Sequence, residues 1–352
     1  MLGFFVRRLL WLAVLLGMMS LITFVVFFVV PPENVRAGRG SGDVELSLRE
    51  SYQLEQASLP LQYAEYVWTV VSEGSLGESF VGRRPVTDIL IQGATVTGSL
   101  IVGGTLLFLL IAIPIGIFSA LRPRSLLDRT TMVLVLIGVS AHPVWIGLIL
   151  SYVLGFKLGV TPIGGYCDFF TPIIGCNGPV DWAYHLLLPW LTFAILFAAL
   201  YARMVRASVI EALDEDFVRT ARAKGAASRR VLRSHVLRNA MLPVVTMLSM
   251  DVGLAFGGSV FVETVYGLPG IGRMSVMALQ RRDLPVILGV VLLVTTAIAL
   301  FNLVVDVVYA WLDPRVRATR VSGLGPHASE PATRERPGAR PGQVSQRAQA
   351  RS

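Results

Sequence analysis

Apolar residues in this chain come in blocks. Six stand out, at residues 9–30, 96–121, 130–155, 185–202, 240–262 and 285–312. Each is near the ~20 residues that cross a bilayer core of ~30 Å, so each predicts a membrane-spanning helix. Together they predict an all-α integral membrane protein with six transmembrane helices. The first block follows Arg7 and Arg8 as a secretory leader would. Its run exceeds the roughly 7–15 apolar residues of a leader, and it ends at Pro31-Pro32 without a small-residue cleavage site, so it reads as a retained span. The second block carries Pro114 and Gly116 near its end, which membrane helices tolerate when neighbours satisfy the freed carbonyl. Ser140-Ala141-His142-Pro143 interrupts the third as a kink or a break. His142 there reads as a packed, hydrogen-bonded histidine rather than a ligand.

The polar stretches between the blocks set the expected topology. Arg122, Arg124 and Arg129, then Arg203 to Arg238, then Arg315, Arg317 and Arg320 mark inside segments, because basic residues concentrate on the cytoplasmic side. Both termini are then cytoplasmic. Residues 33–95 lie outside, with acids in excess of bases. Within them Leu59, Tyr63, Tyr66, Val67, Val70 and Val71 recur at helical spacing. They predict an amphipathic helix whose Tyr and Trp68 suit the membrane interface, ended by Gly74-Ser75-Leu76-Gly77; a plain spacer is the alternative. The outside loop 156–184 holds Cys167 and Cys176, open between a disulfide, which that location permits, and two reduced, buried thiols. Residues 263–284 read as a third outside loop around Gly267-Leu268-Pro269-Gly270. The tail from Val321, rich in Pro, Gly, Ser and Arg, is expected to be disordered. The organisation is a helix and outer loop over 1–95, a membrane domain of five helices with a long basic loop over 96–320, and a tail over 321–352.

Composition narrows the classes. The chain is 54% hydrophobic and 15% charged, against roughly 25% charge in soluble domains. Its net charge of +8 does not signal nucleic acid, since the bases sit at the ends of apolar blocks. The four histidines are scattered and the two cysteines complete no metal set, so metal catalysis has no support. Gly257-Gly258-Ser259 has no histidine placed to serve a serine nucleophile. Polar and ionisable residues inside apolar spans are costly and often functional. Asp251 and Asn302 are therefore candidates for a path or gate, and Glu263 for the outer end, where it would face a partner. Asp251 is open between lining a path and making a structural hydrogen bond, and Asp306 reads as an anchor.

The most informative polar stretch is 216–243, DFVRTARAKGAASRRVLRSHVLRNAMLP. It is longer than topology needs, and small residues alternate with charge, as on a surface that docks closely. Leu213, Phe217, Ala221 and Lys224 share a helical face, extended upstream by Val209 and Ala212. Asp214, Glu215 and Asp216 sit where a helix N-terminus favours negative charge. Gly225 suits the turn through positive φ at a helix end. A short helix over 216–224, of roughly 13 Å, is predicted, followed by a basic helical strut over 228–238 and re-entry at Pro243.

This stretch resembles the EAA loop of ABC importer permeases. Aligned on Gly225, Arg219-Thr220-Ala221 occupies the Glu-Ala-Ala positions and Arg238 the proline. Residues 216–225 and 235–243 are similar, nearly letter for letter, to the form in the peptide/nickel branch. Gly74-Ser75-Leu76-Gly77-Glu78-Ser79, Leu187-Leu188-Pro189, Gly258-Ser259-Val260, Glu263-Thr264-Val265, Leu268-Pro269-Gly270-Ile271-Gly272 and Asp313-Pro314-Arg315-Val316-Arg317 extend the likeness to the first (B-type) permease subunit of dipeptide/oligopeptide importers. The resemblance implies the type I importer permease fold in the cell membrane. It makes Asp216, Phe217, Arg219, Thr220, Ala221, Lys224 and Gly225 a coupling helix docked on cytoplasmic ATPases. It implies a homologous second permease, one or two kinds of ATPase and an extracytoplasmic substrate-binding lipoprotein, with lipid around the chain. The chain has no G-x-x-x-x-G-K-[ST] loop to cradle phosphates, so ATP and Mg belong to the partners and no cofactor is expected here. Cargo is left among di- or oligopeptides, nickel chelates, glutathione and haem. The competing reading is a self-contained secondary transporter, which predicts internal repeats and gives the basic loop no role.

Overall fold

In the computed structural model the residues described are 2–25, 59–72, 74–169, 176, 178–281 and 283–312. The glycine-rich 38–42 and the tail from 321 lie outside them. Among the described residues the structure is helical, with one isolated β-bridge between Glu78 and Pro85. The helices are α1 (Leu2–Phe24), α2 (Leu59–Ser72), α3 (Val86–Leu121), α4 (Leu126–Ser140), α5 (Pro143–Leu150), α6 (Pro179–Asp214), α7 (Asp216–Ala223), α8 (Ser228–Val231), α9 (Leu237–Tyr266), α10 (Ile271–Arg281) and α11 (Leu284–Leu312). Ser151–Lys157 continues α5 with a π-helical turn, and Leu232–Val236 does the same between α8 and α9.

The bundle is built on α3 and α6, two 36-residue helices of about 54 Å each. They run parallel and in step. Trp190 Nε1 donates to Ser99 O at 3.0 Å, Phe108 packs on Phe197 and Tyr201, and Gly116 meets Val205. Close approach demands small residues on α3. A Cβ at Gly103 would fall 2.2 Å from the Trp190 ring, and one at Gly116 2.6 Å from Val205 Cβ. This is the means by which membrane helices pack without a hydrophobic driving force. Antiparallel to both, α9 bonds to α6 at two levels, through Thr192 with Tyr266 and Tyr201 with Asp251, and Gly253 faces Ile298 of α11.

The third apolar block is broken as its sequence suggested. Proline pushes the preceding residue to extended backbone, and His142 has φ −76°, ψ 139°. Its Nδ1 accepts from Val144 N at 3.3 Å, and its ring meets Phe261 edge-on. The amphipathic helix is α2. Its Tyr63 hydroxyl pairs with Ser20 Oγ at 2.8 Å and donates to Gly17 O, which docks it on α1, while Trp68 stays exposed.

Length and composition alone make three helices able to cross a membrane: Val86–Leu121, Pro179–Asp214 and Pro285–Val305. Ser228–Asp251 with Gly253–Tyr266, bent by 58°, makes a fourth if taken as one span. The first and third blocks are represented by shorter apolar helices, Leu10–Ile22 and Pro143–Lys157. The expected count of six therefore rests on the apolar pattern and not on helix length. Several boundaries need correction: α3 begins ten residues before the span expected at 96, and α6 six residues before the one expected at 185. The inside loop expected from residue 203 is still helix to Asp214, because Val205, Val209 and Ala212 keep burying one face. The outside loop expected over 263–284 holds the last turn of α9 and the whole of α10. Ile271 and Ala278 of α10 are buried in a core cluster with Val86, Leu90, Val286 and Val290.

Candidate functional site

The basic loop begins where α6 stops. Glu215 takes extended backbone, φ −69°, ψ 149°, and α7 starts at Asp216. Val218 is the anchor of this short helix. It is fully buried, in one cluster with Ala212, Val231 and Val236, and Ala221 and Ala226 pack against that cluster. The C-terminus closes in a Schellman motif: Ala226 N donates to Ala221 O at 3.1 Å and Gly225 N to Arg222 O at 3.0 Å. Gly225 is left-handed at φ +77°, a conformation costly for any residue with a Cβ. Asp216, Phe217, Arg219, Thr220, Arg222, Ala223 and Lys224 are left exposed on one small surface. The Arg219–Asp216 pair on it, 3.6 Å apart and open to solvent, is of the kind that contributes little stability.

The shared face drawn from Val209 through Leu213 to Ala221 and Lys224 is therefore corrected. The helix breaks at Glu215, so periodicity does not pass through it. Ala221 turns inward beside Val218, while Phe217 and Lys224 flank the exposed side. Val218 was missed because it lies among charges; its i,i+3 spacing to Ala221 was the available signal. The strut expected over 228–238 is α8 and its π turn, running without a break into α9.

The polar residues of the bundle gather at its ends. Glu263 is fully buried on α9 and does not face outward, which corrects that expectation. Its Oε1 accepts from Thr97 Oγ1 at 2.6 Å and its Oε2 from Arg273 N at 2.9 Å; Thr97 Oγ1 in turn accepts from Ile271 N at 2.8 Å. Glu263 and Thr97 thus take up the Arg273 and Ile271 N–H groups, two of those that open α10, and a Cβ at Gly270 would lie 2.3 Å from the carboxyl carbon. Nearby, Asp283 is buried and takes Ser79 Oγ and Phe80 N, joining the segment before α3 to the start of α11.

At the other end Asp128 accepts from Ser119 Oγ (2.5 Å), Arg124 N (2.9 Å), Arg206 Nε (2.5 Å) and Arg206 Nη2 (3.0 Å). Its bonds from Arg206, Ser119 and the Arg124 N–H hold the carboxyl well below the usual carboxylate range. Sequence reasoning counted Arg206 only as a topology marker; nothing in the chain pattern marks a partner 78 positions away.

Of the path candidates, Asp251 is half-buried and accepts from the buried Tyr201 hydroxyl at 2.8 Å. Asn302 is half-buried on α11. Since Gly253 meets Ile298 between antiparallel helices, Asp251 stands level with residue 300, about half a turn from Asn302. The Asp306 side chain is outside what is described. Cys167 and Cys176 form a disulfide with Cα atoms 5.7 Å apart.

Comparison with known proteins follows the same architecture. Residues 112–318 match the family described as binding-protein-dependent transport system inner membrane component, and residues 1–101 match its N-terminal region. The dipeptide transport system permease protein of Escherichia coli K12 is 35% identical over 339 residues, covering 90% of this chain and 99% of that protein. The di/tripeptide transport system permease protein of Pseudomonas aeruginosa is 34% identical, covering 91% and 100%. The glutathione transport system permease protein of Pectobacterium atrosepticum is 35% identical, covering 90% and 99%. A basic loop held by one buried valine, a bundle closed by polar groups at both ends, and a family match over more than half the length agree. The chain belongs to the family of inner membrane components of binding-protein-dependent transport systems.

Proposed function

We propose that this chain is the permease subunit of an ATP-driven importer of short peptides, and that α7 is the helix through which cytoplasmic ATPases drive it. The observation that carries this is the construction of α7. Eight residues are pinned by Val218 and closed by the Gly225 turn, so they offer Phe217, Arg219, Thr220 and Lys224 to a partner on a fixed support. The peptide class follows from the dipeptide and di/tripeptide relatives. The glutathione relative, equally similar, keeps glutathione, itself a tripeptide, within the same reading.

In this reading the loop end of the bundle is cytoplasmic, both termini with it, and the Thr97–Glu263 end is extracytoplasmic. A homologous second permease completes the path, in which Asp251 and Asn302 are the candidate polar lining. A substrate-binding lipoprotein delivers cargo, and ATP and Mg are held by the ATPases. Glu263, being buried and fully bonded, holds α10 in place for that end rather than touching cargo.

The test is purification and reconstitution. The chain should co-purify with a Walker-motif ATPase, and vesicles holding the whole complex should take up labelled dipeptide with ATP. Competition by tripeptides, glutathione, haem and nickel chelates ranks the cargo. Uptake by the lone chain, without ATP, would overturn the reading in favour of a secondary transporter.

A further inference from the structure

α6 is far longer than a span requires. Its 36 residues exceed the ~20 that cross a bilayer, and the excess carries α7 at its tip. A helix projecting from a membrane bends under load unless something holds it. Among the described residues the structure holds it with charge at Arg206. Arg206 sits eight positions before the end of α6 and meets Asp128 through two nitrogens, Nε at 2.5 Å and Nη2 at 3.0 Å, the fork geometry that fixes orientation as well as distance.

Asp128 is itself immobilised. It is buried, and so is Ser119, the α3 hydroxyl that donates to it. The Arg124 N–H also donates to it, and its own N–H donates to the Ser125 side chain that caps α4. Arg124 is one of two non-glycine residues with positive φ among those described, at +63°. Such backbone persists only where the surroundings over-determine it, and here the carboxylate does so. One carboxyl therefore ties the end of α3, the connecting turn, the start of α4 and the stem of α6. The apolar contacts of Val205 and Val209 keep α6 near α3, but they do not resist sliding as a bidentate pair does.

We propose that Asp128 and Arg206 form a positioning clamp which makes the stem of α6 one body with α3 and α4, so that displacement of α7 reaches the bundle and is not lost as bending of α6. The proposal rests on the reading of α7 as the driven helix. The clamp touches neither nucleotide nor cargo, so its removal leaves ATP hydrolysis in place and lowers cargo moved per ATP.

The experiment uses the complete transporter in vesicles, with labelled dipeptide as cargo. Arg206→Met, Arg206→Lys and Asp128→Asn are compared with wild type and with Gly225→Val. Assembly is read by pull-down of the ATPases, and both ATP hydrolysis and uptake are measured. Arg206→Met and Asp128→Asn are expected to assemble, to hydrolyse ATP, and to import on the order of tenfold less per ATP. Arg206→Lys, which keeps the charge and loses the fork, is expected to fall between them and wild type, and it carries the test alone if the other two do not assemble. Unchanged import per ATP in assembled variants overturns the clamp, as does a loss of hydrolysis and uptake in equal proportion, which marks a purely structural pair. If Gly225→Val uncouples and the clamp variants do not, only the clamp fails. If Gly225→Val also couples normally, the reading of α7 fails first.

Discussion

Glu263 and Gly270 should be coupled, with a sign and size that the geometry sets. Glu263→Ala removes the acceptor from the buried Thr97 hydroxyl and the part-buried Arg273 N–H. A buried donor left unmatched costs about 1–3 kcal/mol, so the variant should lose roughly 2–6 kcal/mol if the two costs add. Gly270→Ala adds a Cβ whose three nearest atoms all belong to Glu263, at 2.3, 2.5 and 2.5 Å. With the carboxyl pinned by its bonds, something must shift, at about 1–3 kcal/mol. In the Glu263→Ala background those three atoms are gone, and the same methyl should cost less than ~1 kcal/mol. The double variant is thus expected to be more stable than the sum of the singles predicts, by about 1–3 kcal/mol.

Gly272→Ala is the control. Its Cβ would lie 2.7 Å from Val260 Cα, a backbone atom that Glu263→Ala leaves in place, so most of its cost should persist. The assay is unfolding of the purified chain in mixed micelles as the denaturing detergent fraction rises, followed by helical circular dichroism. Additivity of Glu263→Ala and Gly270→Ala to within about 0.5 kcal/mol would refute the idea that the carboxyl excludes a side chain at 270.

Three further outcomes are expected. Gly225→Ala places a Cβ at φ +77° and should cost roughly 1–2 kcal/mol locally; amide exchange at residues 225 and 226 should quicken by on the order of tenfold, and unchanged exchange would mean that the turn is not what closes α7. The Asp128 carboxyl is held below its ordinary value by Arg206, so its contribution is fully present above the unfolded carboxylate pKa of about 3.9 and fades only as pH falls further. Melting between pH 8 and 5 should be indifferent to it, with the loss confined to the acid side, and Asp128→Asn should flatten that acid slope. Asp251→Asn keeps a carbonyl to accept from Tyr201, so stability should hold; a fall in uptake at constant stability places Asp251 on the path, whereas unchanged uptake leaves it a structural bond to α6.

The helical class, the break at His142 and the Gly225 turn were legible because each has a local cause: apolar length, proline sterics, positive φ. The site was legible as a surface but not as a support. Arg219, Thr220 and Lys224 are exposed as their types suggest and Phe217 against its type, while Val218, which holds them, hides among charges. What local pattern could not show were pairings between distant positions. Thr97 reads as a neutral member of an apolar span, Asp128 and Arg206 read as surface charge, and Ser79 and Asp283 read as loop. Each finds its partner only once α3 lies beside α6, α9 and α10. Span ends were misplaced for a related reason. Hydropathy reports where a helix leaves lipid, whereas α6 ends where Val209 and Ala212 run out of core to bury.

The two arms that carry α7 are not equivalent, and this bears on how it is driven. On one side α6 runs from Pro179 to Asp214 as one helix, with its stem fixed by Arg206. On the other side α8 enters α9 without a break, but Pro243 removes a backbone donor early in it, and the stretch Ser228–Asp251 lies at 58° to Gly253–Tyr266. A push at α7 therefore meets a braced arm and a bent one. Sharp bends arise at prolines and π turns, where the hydrogen-bond ladder is interrupted; this arm has both, at Leu232–Val236 and Pro243, and yields there at least cost. Asp251 lies eight residues beyond Pro243 on α9, bonded to Tyr201 of the braced arm. In the proposed mechanism, a change in the angle of α9 then works on this polar contact between the two arms, the bond from the Tyr201 hydroxyl to Asp251.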